Sequence, residues 1–186
     1  MTIFSARIVT LLLSILPLYG IADDNTSPTK PLTTIAAVDL QRYMGTWYEI
    51  ARYPNTFQKK CVGDTRADYS LNPEGTVKIV NQCRLASKAV SVAVGLARPV
   101  GPANSPKLKV RFAPAWLSSI PFVWGDYWIV NLDEAYQLVA VSEPTRHYLW
   151  VLSRTPKVDS AAYDALLRRL RVKGFDLQKL VITVQH

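Results

Sequence analysis

From about residue 45 onward, apolar and polar residues alternate with period two through eight successive short runs, 47–53, 62–71, 76–85, 88–98, 107–112, 125–132, 136–142 and 148–153. A strand puts alternate side chains on opposite faces, so each run predicts a strand with one face for a core and one for solvent. The connections are short and no helical segment separates the runs. A parallel α/β sheet needs long crossovers and is disfavoured. Asn72-Pro73-Glu74-Gly75 has strong turn chemistry, so the second and third runs read as a hairpin. An open meander of this length would leave two strand edges exposed, and closing it removes both. The expected fold is therefore all-β, an eight-stranded antiparallel up-and-down barrel. The interior of a barrel of that size is either just filled by side chains or holds one small ligand.

One helix is predicted after the strands. Asp159 suits its N-cap, and Tyr163, Leu166, Leu167 and Leu170 fall on one face. Arg168, Arg169, Arg171 and Lys173 lie toward its C-terminal end, where cations suit the helix dipole, and Gly174 suits a C-terminal cap. The apolar stripe is narrow, so the helix is expected to dock on the barrel. A short helical turn is expected over 39–44, and a last short strand over 180–184.

Ahead of the barrel, an apolar run over 8–19 follows Arg7 and precedes Gly20-Ile21-Ala22. This pattern reads as a signal peptide, residues 1–22. A membrane span needs about 20 apolar residues, and Pro17 and Asp23-Asp24 cut the run short. Residues 23–37, polar with Pro28 and Pro31, read as a flexible lead-in to a domain over 38–186. No cysteine lies near the cleavage point, so the expectation is an exported, soluble protein, periplasmic or secreted, without a Cys-linked lipid. Cys61 and Cys83 fall near the same end of adjacent strands. In an exported chain they read as a disulfide worth about 3 kcal/mol. Loss of residues 1–22 removes Arg7 and no acid, so the formal charge of +8 becomes +7. That balance suits either attraction to anionic lipid head groups or plain solubility. The basic residues are scattered and no nucleic-acid motif occurs, so nucleic acid is not expected as a partner. His147 and His186 are the two histidines, and no Gly-x-Ser-x-Gly, His-Glu-x-x-His or phosphate-binding glycine loop is present. Neither catalysis nor a metal or other cofactor is expected.

Three segments carry a family resemblance. They are Gly45-Thr46-Trp47-Tyr48-Glu49-Ile50-Ala51-Arg52, Gly125-Asp126-Tyr127, and Leu149-Trp150-Val151-Leu152-Ser153-Arg154-Thr155-Pro156. In order, spacing and following helix they resemble the lipocalin signature, over about 38–185. The wording of the first and third is most similar to the bacterial lipocalin branch, which includes relatives of apolipoprotein D. The resemblance implies that Trp47 plugs the closed end of the barrel with Arg154 packed across it, so that Gly45, Trp47, Tyr48 and Arg154 are structural. It implies a small hydrophobic ligand, a fatty acid or lysophospholipid. The characterised bacterial relatives often carry a lipoprotein cysteine, which this chain lacks at its cleavage point.

If Arg154 covers Trp47, then Trp150 and Leu152 share its inward face, and Glu49 and Ala51 share that of Trp47. An inward Glu49 needs a partner: an arginine, a tyrosine or water. In the run 88–98, Val90, Val92, Val94 and Leu96 alternate with small residues. The small face leaves room for ligand if it points in, or seats the helix if it points out. Residues 113–124 join the fifth and sixth strands at the open end and include Trp116, Leu117, Ile120, Phe122, Val123 and Trp124. Such a loop can line an entrance, touch a membrane, bind a partner or fold back over its own barrel. The expected cavity and mouth residues are Ala51, Trp116, Phe122, Trp124, Tyr127, Trp150 and Leu152, in a monomer or weak dimer. The alternative is a protein- or membrane-interaction module acting through 113–124.

Overall fold

A computed structural model describes residues 30–186. The segment read as a signal peptide and the first part of the lead-in lie outside the described residues. Residues 30–37 pack rather than trail. Leu32 is buried under the C-terminal helix, and the Ile35 amide donates to the Ile129 carbonyl at 3.0 Å.

A short helix α1 (Leu40–Tyr43) is capped by the Asp39 carboxylate, which accepts from the Arg42 amide. Eight strands follow: β1 (Gly45–Arg52), β2 (Cys61–Leu71), β3 (Val77–Leu85), β4 (Val90–Pro99), β5 (Lys107–Arg111), β6 (Gly125–Leu132), β7 (Leu138–Ser142) and β8 (Leu149–Ser153). All pair antiparallel with their neighbours in sequence, and β1 pairs with both β2 and β8, which closes the barrel. Helix α2 (Ser160–Val172) begins at Asp159, whose side chain accepts from the Ala162 amide. It ends before Gly174, whose φ of +83° is the left-handed conformation of a C-terminal cap.

There are two cores. One lies inside the barrel and includes Trp47, Tyr69, Ile79, Leu108, Ile129, Val141 and Leu152. The other lies outside the wall, where Leu166 and Leu170 of α2 pack on Val130, Ala140, Leu149 and Val151. Two bulges shift side chains between them. In β1 the register slips between Glu49 and Ala51, so Ile50 and Ala51 both join the outer core. In β6 a slip after Ile129 places Asn131 opposite Ala140, so Asn131 joins Val130 on the outer face.

Strand β4 resolves the choice left open by its sequence. Ala97 is part of the inner core, so Ser91, Ala93 and Gly95 face inward, and Val90, Val92 and Val94 face solvent. The helix is seated over β6–β8 instead, because that is where the outward side chains are apolar.

Strand directions place α1 and the loops after β2, β4 and β6 at the closed end. The loops after β1, β3, β5 and β7 are at the open end. There the C-terminal tail fills the gap between β1 and β2. Strand β9 (Val181–Ile182) pairs with β1, the Asp64 amide of β2 donates to the Val184 carbonyl, and the Gln185 side chain donates to the Glu49 and Thr65 carbonyls.

Candidate functional site

The closed end is built on Trp47, which is fully buried and donates from its indole nitrogen to the Tyr43 carbonyl at 2.9 Å. The Arg154 guanidinium lies 4.0 Å from the centre of its ring and donates to the carbonyls of Tyr136, Thr46 and Arg42. The positive φ of Gly45 (+97°) turns the chain from α1 into β1, and a Cβ there would stand 3.2 Å from the Arg154 guanidinium. Tyr48, next to Trp47, is half-buried on the other face of β1.

Above this plug three tyrosines meet. The Tyr127 hydroxyl is 2.7 Å from that of Tyr43 and 3.1 Å from that of Tyr69. Burial pushes all three phenols up in pKa, Tyr69 to about 12, so the cluster is neutral and its protons are shared as hydrogen bonds. The space left among α1 and the inner faces of β2–β6 is only about 10 Å³, the size of one water. The lower half of the barrel is therefore filled.

The upper half is different. Ser91 and Ala93 face the interior opposite Cys83 and Asn81, yet both are exposed, so the barrel opens to solvent above them. Gly95 leaves room on the same face for Phe112, since a Cβ on it would meet that ring at 2.7 Å. On the opposite wall an aromatic ladder runs from rim to interior. Phe57, two-thirds exposed, is 5.2 Å from Tyr148, which stacks at 5.7 Å on Trp150.

The polar groups of this half form one network around Glu49, which is 2% exposed. The Glu49 carboxylate accepts from Arg52 (3.2 Å), Gln58 (2.6 Å) and Thr183 (2.5 Å). Gln58 in turn accepts from the Trp150 indole and from Asn55. The Nε of Arg52 is buried with no partner among the described residues. Disulfide Cys61–Cys83 ties the open ends of β2 and β3, with Cα atoms 5.6 Å apart.

Of the residues expected to line the cavity, Trp150, Leu152 and Tyr127 are inside the barrel. Ala51 is not. The bulge at Ile50 reverses strand parity, so Ala51 lies under α2 and Arg52 takes the inward place opposite Trp150. The loop 113–124 is at the open end, but Trp116 (79% exposed) and Phe122 (97% exposed) point to solvent. Trp124 lies on the outer wall, 4.3 Å from the guanidinium carbon of Arg98 and 5.3 Å from that of Arg111, and donates to the Ser118 carbonyl. Arg111 also donates to the Ala113 carbonyl, which pins the start of the loop. Period two through Leu108 and Val110 was sufficient to find Phe112. Gln58 and Thr183 come from a loop and a tail and carry no local signal.

A family model described as a lipocalin-like domain matches residues 38–185. Temperature-induced lipocalin-1 of Arabidopsis thaliana is 38% identical over 157 residues, covering 84% of each chain. The outer membrane lipoprotein Blc of Escherichia coli K12 is 34% identical over 158 residues, covering 83% of this chain and 85% of that protein. Apolipoprotein D of Macaca fascicularis is 33% identical over 156 residues, covering 80% and 77%. Among solved structures, insecticyanin of the tobacco hornworm Manduca sexta superposes with a TM-score of 0.66 at 15% identity, covering 83% and 85%. With its barrel closed by Trp47 and Arg154, the chain belongs to the lipocalin family, whose members bind small hydrophobic ligands.

Proposed function

We propose that this protein is a non-catalytic carrier of a fatty acid or lysophospholipid held in the upper half of the barrel. One observation carries the reading: Ser91 and Ala93 face the interior and are exposed, above a floor that is filled. An acyl chain entering there meets Phe112, Val141, Tyr127 and Trp150 and is removed from water, at about 25 cal/mol for each Å² buried. The unpartnered Nε of the inward-facing Arg52 suits a carboxylate or phosphate near the mouth. Export is supported by the disulfide and by relatives named outer membrane lipoprotein; without a cysteine near residue 22, the reading is a mature chain soluble in the periplasm or secreted.

The test is a titration of delipidated protein with palmitate and with lysophosphatidylcholine, following tryptophan fluorescence. Saturable one-to-one change is expected in the protein and a reduced amplitude in Trp150→Phe. A flat response to both lipids from folded protein overturns the carrier reading.

A second reading rests on Trp116 and Phe122, whose side chains stand in solvent beside the mouth. Aromatic side chains so placed suit the interfacial zone of a bilayer. The loop would then rest on a membrane while ligand enters.

A further inference from the structure

Outside the barrel, residues 30–33 cross the C-terminal half of α2 and leave a cleft of about 500 Å³, within the range of small-ligand sites. Among the described residues five cations line it, Lys30, Arg146, Arg168, Arg169 and Lys173, and no acidic side chain does. None of the five makes an ion pair among the described residues, although Asp and Glu neutralise Arg52, Arg66, Arg84, Lys109 and Lys179 elsewhere. A helix C-terminus attracts cations, but it supplies only about half a negative charge. The described residues therefore leave most of this cluster uncompensated.

The cleft is also built. Arg146 sits in the β7–β8 turn with a φ of +62°, a conformation unfavourable for a side chain of its kind. From there its guanidinium donates to the Lys173 carbonyl at 2.8 Å and to the Lys30 carbonyl at 2.6 Å, clamping the helix end to the crossing segment. The Lys173 ammonium donates to the Thr33 carbonyl and hydroxyl, both at 3.0 Å. Desolvation and the neighbouring Arg146 hold the Lys173 pKa below its ordinary value, the strain that a bound anion relieves. Arg168 and Arg169 are exposed on the helix beside them and make no side-chain hydrogen bond among the described residues. Guanidinium groups so placed can present paired donors to phosphate oxygens.

We propose that this cleft is an anion site for a phosphate-bearing group, separate from the barrel and independent of what the barrel carries. The phosphate belongs to a soluble small molecule or to a phospholipid head group, and both offer the same oxygens.

Inorganic pyrophosphate is the first probe, followed by calorimetry at low salt. Saturable binding is expected, weakening with added NaCl. In Arg168→Gln/Arg169→Gln it should weaken about tenfold or more, because two charge-assisted contacts are lost. Arg171→Gln/Lys157→Gln, which removes the same charge outside the cleft, should lose clearly less affinity, and the difference between the two variants should persist at about 0.1 M salt, where charges more than about 10 Å apart are screened. Absence of saturation, or equal loss in the two variants, overturns the proposal. Sedimentation with phosphatidylglycerol and phosphatidylcholine vesicles then separates the sources. Retention on the anionic vesicles that needs Arg168 and Arg169 and is displaced by pyrophosphate assigns the site to a head group. Pyrophosphate binding without retention assigns it to a soluble phosphate.

Discussion

Glu49 and Arg52 are a buried ion pair created by one bulge. Had β1 kept strict alternation, Ala51 would face the cavity and Arg52 the outer wall. The bulge turns Arg52 inward, where it is 15% exposed and bonds to a carboxylate that also holds Gln58 and the tail residue Thr183. Removing one partner leaves the other charge buried alone. Glu49→Ala is expected to cost about 3–5 kcal/mol in urea unfolding, and Glu49→Ala/Arg52→Met to recover part of that loss. Arg154 plays a different role. Its contacts are a ring face and three carbonyl oxygens at the closed end, all far from the mouth. Arg154→Ala should cost about 2–3 kcal/mol and lower Tm clearly. Lipid affinity should change little. Unchanged Tm with lost binding would contradict that assignment.

At the scale of elements, the open end is held by three devices: the disulfide, the tail between β1 and β2, and the loop after β5. The disulfide joins cysteines 22 residues apart. Cys61→Ala/Cys83→Ala should therefore lower stability by about 3 kcal/mol, read as a shifted denaturation midpoint in matched oxidised and variant samples. The loop 113–124 is anchored by Trp124 and Arg111 and leaves the Trp116 and Phe122 side chains mostly exposed. Trp116→Ser/Phe122→Ser should thus alter stability by less than about 0.5 kcal/mol. If the loop is the membrane contact, the same variant takes up lipid from vesicles more slowly while binding monomeric lipid with unchanged affinity. Equal uptake rates would remove the membrane reading.

For the molecule as a whole, the tyrosine cluster sets an alkaline limit. Tyr69 is held at about 12 in the folded barrel, against about 10 for a tyrosine in an unfolded chain. Below pH 10 the phenol is protonated in both states and its contribution is complete and constant. Above pH 10 the unfolded chain ionises first, so stability falls until the folded pKa is passed, by up to about 3 kcal/mol from this residue. Tyr43 and Tyr127 shift in the same direction and steepen the fall. Unfolding midpoints measured from pH 9 to 12 should decline over that window, and Tyr69→Phe should reduce the slope. A flat profile would mean that the hydroxyls are hydrated.

Strand count, strand order, the α2 caps, the disulfide and the Trp47–Arg154 closure could all be read from the chain, because each depends on local periodicity, turn chemistry or a short motif. The side chain direction after Ile50 could not, since a bulge is decided by how two strands and a tail pair, and one extra residue reverses every later position. The facing of β4 was equally hidden: its valines and its small residues alternate perfectly, and only closure against β3 and β5 puts the small face inside. Gln58 reaches Glu49 from the irregular loop after β1 and Thr183 from the far end of the chain, as Lys30, Arg146 and Lys173 reach one another across the helix end. Periodicity, turn chemistry and three short motifs were enough to specify a closed barrel with one docked helix. Which half of that barrel is filled, which is open, and where its cations gather were decided by tertiary packing, because they depend on residues that meet only once the barrel has closed.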